Sequence, residues 1–538
     1  MSDRKLYYNG TILTMDDQQP HADFVLTENG VIADVGGKDR LAEYLESDVE
    51  RVDLQGRLLL PGFIDSHLHM LTAALNRLKL DVTDMPFDTV DDFLAYVRRE
   101  KGESGESWIS VFGFSEENLG DHRMVERRDI DKYFPDVPVT IIRVCGHMCV
   151  VNSQAIARLD AGKMAAITGG EFKKDADGAY NGLATEGAQQ YVLDNMPTAD
   201  VELILGYMQK EQEILLRQGI TSIHDAGTDM MLPHAYVAVF EEMERRGLLK
   251  LRTYLMARPG ENETPEAFDA WMKDLKTRYD GTSGRLQIGS VKLFADGSLG
   301  SRTAALKQPY QDEPDNMGLL LDERLNRYIV PLAGAGHQVA VHAIGDRSSA
   351  FVADLYRRSG CGGETRQRIE HAELLDQELL DTFKAQQILV MTQPIFIREF
   401  GNTYFQNLGE SRALRIQPIR SMLEQGIVVG FGTDYPVDDP NPLLGIHAAM
   451  TREIKNSSRL LNPEEAISFE QAVKCYTLYN AYGAFSEQRT GSLEKGKSAD
   501  LVILSGITPD ADGQIRNVRS GQVDCTVIAG ETVYARQA

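Results

Sequence analysis

An apolar run, Leu58-Leu59-Leu60-Pro61-Gly62-Phe63-Ile64, ends abruptly in Asp65-Ser66-His67-Leu68-His69. This junction constrains the fold more than any other stretch. Side chains alternate along a β-strand, so residues i and i+2 share a side. His67 and His69 therefore present two imidazoles to one point, and imidazole is a common ligand for zinc and related metals. A buried strand that ends this way reads as half of a metal site at the mouth of a barrel. The competing reading is a pair of histidines satisfied by ordinary hydrogen bonds. The rest of the chain decides between the two.

From about residue 61 to residue 485, short apolar runs alternate with helical stretches, the pattern of parallel β/α units. Candidate strands lie at 63–65, 108–112, 139–142, 221–224, 251–255, 291–294, 339–342, 368–371, 388–391 and 427–431. A β/α barrel needs only eight. The strands at 108–112 and 139–142 fall in a long, charged, glycine-containing stretch from about 80 to 200. That stretch is assigned to an insertion after the first barrel strand, near the active-site mouth. Residues 1–60 instead alternate β-rich runs with turns, including Asn29-Gly30 between two such runs, a strong hairpin signal. Residues 486–538 have the same texture. The expected fold class is α/β: a (β/α)8 TIM-like barrel over 61–485, with a small composite β-sandwich built from 1–60 and 486–538.

Composition narrows the function classes. The chain has 538 residues, 42% hydrophobic and 25% charged, ordinary for a globular protein. A formal charge of −24 disfavours nucleic acid and anionic membranes as partners, since both need basic patches. No apolar core follows Met1-Ser2-Asp3-Arg4-Lys5, so no secretory signal is expected. No stretch approaches the roughly 18 apolar residues of a membrane span. The five cysteines are scattered, and Cys145 and Cys149 have no second pair at zinc-finger spacing. Free thiols in a reducing cytoplasm are the expectation.

In β/α barrels the C-terminal strand ends build the active site. The polar residues there are His67 and His69, then Lys292 in Val291-Lys292-Leu293-Phe294, His342 in Val341-His342-Ala343-Ile344-Gly345-Asp346, His371 in Arg368-Ile369-Glu370-His371, and Asp434 in Gly432-Thr433-Asp434-Tyr435-Pro436. Each alone has a bland explanation: a satisfied histidine, a capping aspartate or an ion-paired lysine. Four histidines, a lysine and an aspartate on five strands of one barrel form a coherent metal constellation.

These phrases, together with Gly219-Ile220-Thr221-Ser222-Ile223-His224-Asp225, Ala295-Asp296-Gly297-Ser298-Leu299-Gly300-Ser301-Arg302-Thr303-Ala304 and Gly491-Ser492-Leu493-Glu494-Lys495-Gly496-Lys497-Ser498-Ala499-Asp500, span nearly the whole chain. The chain resembles the amidohydrolase superfamily, and within it the YtcJ-like branch of amidohydrolase family 3 that includes N-substituted formamide deformylase. The resemblance implies a divalent metal, zinc by expectation, one or two per chain. It implies that His67 and His69 bind the more buried metal. Lys292, carboxylated as a lysine carbamate, would bridge two metals, and His342 and His371 would bind the second. Asp434 would ligate the first metal and act as base on the bridging water. The implied activity is hydrolysis of a carbon–nitrogen bond, an amide of the N-acyl or N-formyl amine type. Two rivals stand beside it: a mononuclear deaminase or cyclic-amide hydrolase on the same scaffold, and a non-catalytic binding or regulatory barrel. A one-metal site with an unmodified lysine stays open.

For the substrate side the candidates are His147, Tyr180, Asp296 and Arg302. His147 could contact substrate or be structural. Tyr180-Asn181 stands where the resembled loop usually carries Pro-Thr, a departure that bears on substrate preference. Arg302 could hold a substrate carboxylate through its bidentate fork or pair with a neighbouring acid. His224-Asp225 could support the metal ligands or simply pack. Trp108, Phe112 and Phe114 could form an apolar wall or a core. A homodimer is the default assembly, and the expected partner is a small-molecule substrate.

Overall fold

The computed structural model describes residues 4–83, 85–102, 105–144, 148–167, 170–196, 200–228, 231–260, 262–282 and 284–537. Eight strands lie side by side in one parallel sheet: β1 (Phe63–Leu68), β2 (Ile220–Asp225), β3 (Arg252–Ala257), β4 (Leu286–Phe294), β5 (Val339–Ala343), β6 (Arg368–His371), β7 (Leu389–Thr392) and β8 (Val429–Phe431). Each pairs with its neighbour in sequence order. These are the eight expected barrel strands. They are Val-, Ile- and Leu-rich because helices cover the outside and side chains fill the inside, leaving neither face to water.

The ladder runs from β1 to β8, and hydrogen bonds from outside the strands draw its two ends together. The Asp434 amide donates to the His67 carbonyl (2.8 Å) and the His69 amide to the Tyr435 carbonyl (2.7 Å). Asn480, on the helix Leu478–Gly483, donates its side-chain amide to the carbonyls of Ile64 (2.5 Å) and Phe431 (2.7 Å). Gly432 permits the close approach, since a Cβ there would lie 2.7 Å from the His67 nitrogen. Asn480→Ala strands two buried carbonyls, each worth about 1–3 kcal/mol when unsatisfied. A lower urea midpoint with an unchanged slope is the expected result.

The two chain ends meet in one eight-stranded sheet that orders 531–535, 522–528, 501–505, 58–61, 4–13, 21–28 and 31–36, with 50–53 pairing 4–13. Its core takes Tyr7, Ile12, Val25 and Leu59 from one end and Leu501, Ile503 and Val527 from the other. The strand 58–61 joins the two ends, pairing with 4–13 on one side and 501–505 on the other.

Residues 73–208 form a second compact unit. It has its own six-stranded sheet, which contains the strands Ile109–Phe114 and Val139–Arg143. Trp108 and Phe114 are buried in that unit's apolar clusters, with Phe112 packed against one of them. Their role is core. Among the described residues no helix is long and apolar enough to cross a membrane. Cys149, Cys361, Cys475 and Cys525 are free thiols.

Candidate metal centre

All six strand-end residues singled out in the sequence converge at the C-terminal end of the barrel. His67 Nε2 lies 3.7 Å and His69 Nε2 3.1 Å from Asp434 Oδ1. Lys292 Nζ lies 3.3 Å from His67 Nε2. The ring of His371 stands 4.7 Å from that of His67, and His342 follows at 4.4 Å from His371. The order His69, Asp434, His67, Lys292, then His371 and His342 places the lysine beside the first donor group.

The hydrogen bonds fix which ring nitrogen of each histidine is available. His69 Nδ1 donates to the Gly227 carbonyl (2.7 Å), so Nε2 faces Asp434. His67 Nδ1 donates to Glu370 Oε2 (2.5 Å), and again Nε2 faces inward. His371 Nδ1 meets Gln393 Oε1 at 2.7 Å. His342 uses Nε2 on the Gly297 carbonyl (3.0 Å), which leaves Nδ1. A carboxylate or carbonyl holding the far nitrogen of a metal-binding histidine sets its tautomer and orientation.

These donors fit a cation. One ligand atom each from His67, His69 and Asp434 lies within 4.8 Å of the others. Asp434 Oδ1 is buried and accepts no well-directed hydrogen bond, although His69 Nε2 is close. Two histidines and a carboxylate thus gather ligand atoms around a shared point, as donors do around a cation. Burial favours neutral Asp434, but His69 and the nearby His67 and His371 outweigh it and hold the carboxyl below its ordinary range. Burial lowers His67 and His342 and brings His371 to about 3, which keeps these imidazoles neutral and able to ligate. Burial also brings Lys292 down to about 8, against the pull of Glu370 and Asp434.

Two of the candidate ligand positions use backbone conformations that most residues avoid. Asp434 has φ 59° and His371 φ 70°. Aspartate and histidine tolerate this region better than most residues, and such strain collects at functional sites. In β6 the pleat puts Arg368 and Glu370 on the inner side. His371 would face outward, but its positive φ turns the imidazole back toward His67.

That inner pair was not singled out from the sequence. Arg368 grips Glu370 through Nε (2.8 Å) and Nη2 (3.1 Å), reaches His224 Nδ1 (3.0 Å) and donates to the Ser66 carbonyl (2.9 Å). His224 therefore supports the centre through Arg368 and Glu370. The signal was the two-residue spacing of opposite charges in an otherwise apolar strand, which implies a shared, buried side. Asp65 is a second omission. It takes the Thr433 hydroxyl (2.6 Å) and the His67 amide (3.0 Å) and so ties β1 to the turn that carries Asp434.

The substrate candidates fare differently. Asp296 sits beside His342, its Oδ1 3.6 Å from His342 Nε2, and its carboxylate accepts from the amides of Ala305 (2.9 Å), Ile344 (3.0 Å) and Gly345 (2.9 Å) and from the Ser348 hydroxyl (2.5 Å). These bonds brace the loops after β4 and β5. Arg302 engages Asp312 and lies 3.2 Å from Glu313, so the ion-pair alternative describes it. Tyr180 belongs to the second compact unit, where its ring packs on Phe172 at 5.9 Å. His147 lies outside the described residues.

A parallel β/α barrel with convergent histidines, a buried lysine and an aspartate at its strand ends defines the class of metal-dependent barrel hydrolases. The amidohydrolase family model matches residues 50–534. The chain belongs to this family of metal-dependent hydrolases, whose members act on carbon–nitrogen bonds, and membership implies a divalent metal. It is 29% identical to the Bacillus subtilis protein named amidohydrolase YtcJ, over 99% of this chain and 100% of that one. It is 25% identical to the N-substituted formamide deformylase of Arthrobacter pascens, over 98% of each chain. An uncharacterized metal-dependent hydrolase of Pyrococcus furiosus has a similar structure. The TM-score is 0.72 at 27% identity, covering 93% of this chain and 98% of that one.

Proposed function

We propose that the protein hydrolyses the amide bond of an N-acyl or N-formyl amine at a two-metal centre held by His67, His69, Lys292, His342, His371 and Asp434. The observation that carries this reading is the position of Lys292. It lies 3.3 Å from His67 Nε2 in the buried cluster that continues to His371 and His342. A protonated amine there would repel any cation. At about 8, a useful fraction of Lys292 is neutral near physiological pH, and the neutral amine adds carbon dioxide to give a carbamate with two oxygen donors. The deformylase relative supports the choice of amide class.

A divalent metal in this site would supply carbonyl polarisation and a water acidic enough to react near neutral pH. The chain's own residues do the rest. Asp434 accepts a proton from the attacking water and returns it to the departing nitrogen, which must leave as a neutral amine. Glu370 and the Gly227 carbonyl keep His67 and His69 in the tautomer that offers Nε2. Gln393 orients His371.

The alternative of a one-metal deaminase or cyclic-amide hydrolase draws on a different observation: the tightest donor group is His67, His69 and Asp434 alone. Elemental analysis of protein prepared with bicarbonate and without chelator separates the two. Two metals per chain, falling in Lys292→Ala, with turnover of N-formyl or N-acyl amines, is the expected result. One metal per chain, unchanged in Lys292→Ala, selects the alternative. Chelation abolishes activity in either case, and added zinc or manganese restores it.

A further inference from the structure

The N-terminal end of the barrel, opposite the metal centre, carries a second polar concavity. Arg252 opens β3, Arg285 immediately precedes β4, and Arg489 lies on the segment that runs from the helix Leu478–Gly483 to the strand Leu501–Ser505. The three side chains line a small cavity of about 20 Å³ together with Ser222, Ser486 and Thr490. The same three also line an open groove of about 1090 Å³. They stand at the neck between the two.

Arg252 is satisfied. It binds Asp500 at 2.6 and 3.1 Å and the Ser498 hydroxyl at 2.6 Å. Asp500 also takes the Ser498 hydroxyl (2.7 Å) and the Ala529 amide (2.8 Å), so it has little left to offer the other two guanidiniums. Among the described residues, no carboxylate pairs with Arg285 or Arg489. Arg489 donates one Nη to the Gly281 carbonyl, but its Nε is buried without an acceptor. Arg285 Nη1 and Ser222 Oγ are likewise buried without partners. Three donors on one cavity thus lack acceptors.

Arg285 and Arg489 are both half-buried, and enclosed donor nitrogens left without an acceptor are costly. Asp500, Glu244, Glu531 and Asp280 offset part of their charge from a distance but accept from none of the three donors: Glu244 accepts the Arg285 backbone amide (2.9 Å), Asp280 accepts from Thr282, and Glu531 lines the outer groove. Burial first, and then the neighbouring Arg252, hold both guanidiniums below their ordinary range. A water could accept from one donor but brings no charge to offset the cluster.

We propose that the neck between Arg285 and Arg489 binds a small tetrahedral oxyanion, of which inorganic phosphate is the simplest. Guanidinium forks match its geometry and its charge, and the Ser222 hydroxyl adds a donor. The site ties the barrel base to the segment that carries Arg489 toward the terminal sheet.

The test is a calorimetric titration of the metal-loaded full chain with sodium phosphate, against sodium chloride at matched ionic strength. Saturable binding at one site per chain is expected, weakened about tenfold or more in Arg285→Gln, the loss set by one charge-assisted hydrogen bond. Arg285 makes no side-chain hydrogen bond among the described residues, so this variant should fold. Arg489→Gln should weaken binding to a similar extent. The metal centre is a competing phosphate site, and binding there would persist unchanged in Arg285→Gln. That result overturns the proposal, as does the absence of saturable heat in the unmodified chain.

Discussion

Asp434→Asn lowers turnover by about 10²–10⁴-fold, the range lost when a positioned general acid–base is removed. The loss should appear in kcat at saturating substrate, since the carboxylate acts on protons in flight rather than on substrate binding. Metal affinity should fall as well, because a neutral amide replaces the charged ligand at the point where His67 and His69 converge. Stability separates this outcome from simple misfolding. In the metal-free protein the Asp434 carboxylate is held, against the effect of burial, below its ordinary range by His69, His67 and His371 and so stabilises the fold near neutral pH, and the asparagine variant should melt modestly lower than the unmodified chain without metal. With metal, the unmodified chain gains stability through binding and the variant gains less. A variant whose melting point falls by the same amount with and without metal would mean that the aspartate serves mainly to hold the β8 turn.

Glu370→Ala is expected to cost about 3–5 kcal/mol, the penalty for leaving a buried charge unpaired. Arg368 and Glu370 are both fully buried, with side chains 0% exposed, so water cannot take the place of the lost carboxylate. The same substitution releases His67 Nδ1 and should weaken metal binding about 10–100-fold. The two effects can be separated. Replacing Arg368 and Glu370 together with methionine removes both charges and restores much of the stability, since apolar replacements of buried pairs are often tolerated. It leaves His67 unanchored, so metal affinity stays low. If the double variant regains metal affinity along with stability, the ion pair serves the barrel core and not the metal centre.

Much of the barrel and its donor set was legible in the chain itself. Parallel strands covered on both faces must be nearly continuous apolar runs, so a histidine, lysine or aspartate at the end of one stands out at once. That contrast marked His67, His69, Lys292, His342, His371 and Asp434. The same contrast does not mark Arg368 and Glu370, because they lie inside the strand that ends in His371 rather than at its end. At Asp296 residue type and position suggested a pocket, and local pattern carried no sign that three backbone amides and a hydroxyl would hold the carboxylate.

The sequence alone determined the periodicities, and with them the eight barrel strands and the polar residues at their ends, because alternation and burial are local consequences of residue type. Only the tertiary structure decided which nitrogen of each histidine faces the centre, since that depends on partners such as Gly227 and Glu370, 158 and 303 residues away. It also decided that His371 turns inward, through a backbone angle no residue pattern specifies. And it gathered Arg252, Arg285 and Arg489 from three distant segments at the barrel base, where long-range packing sets their shared burial.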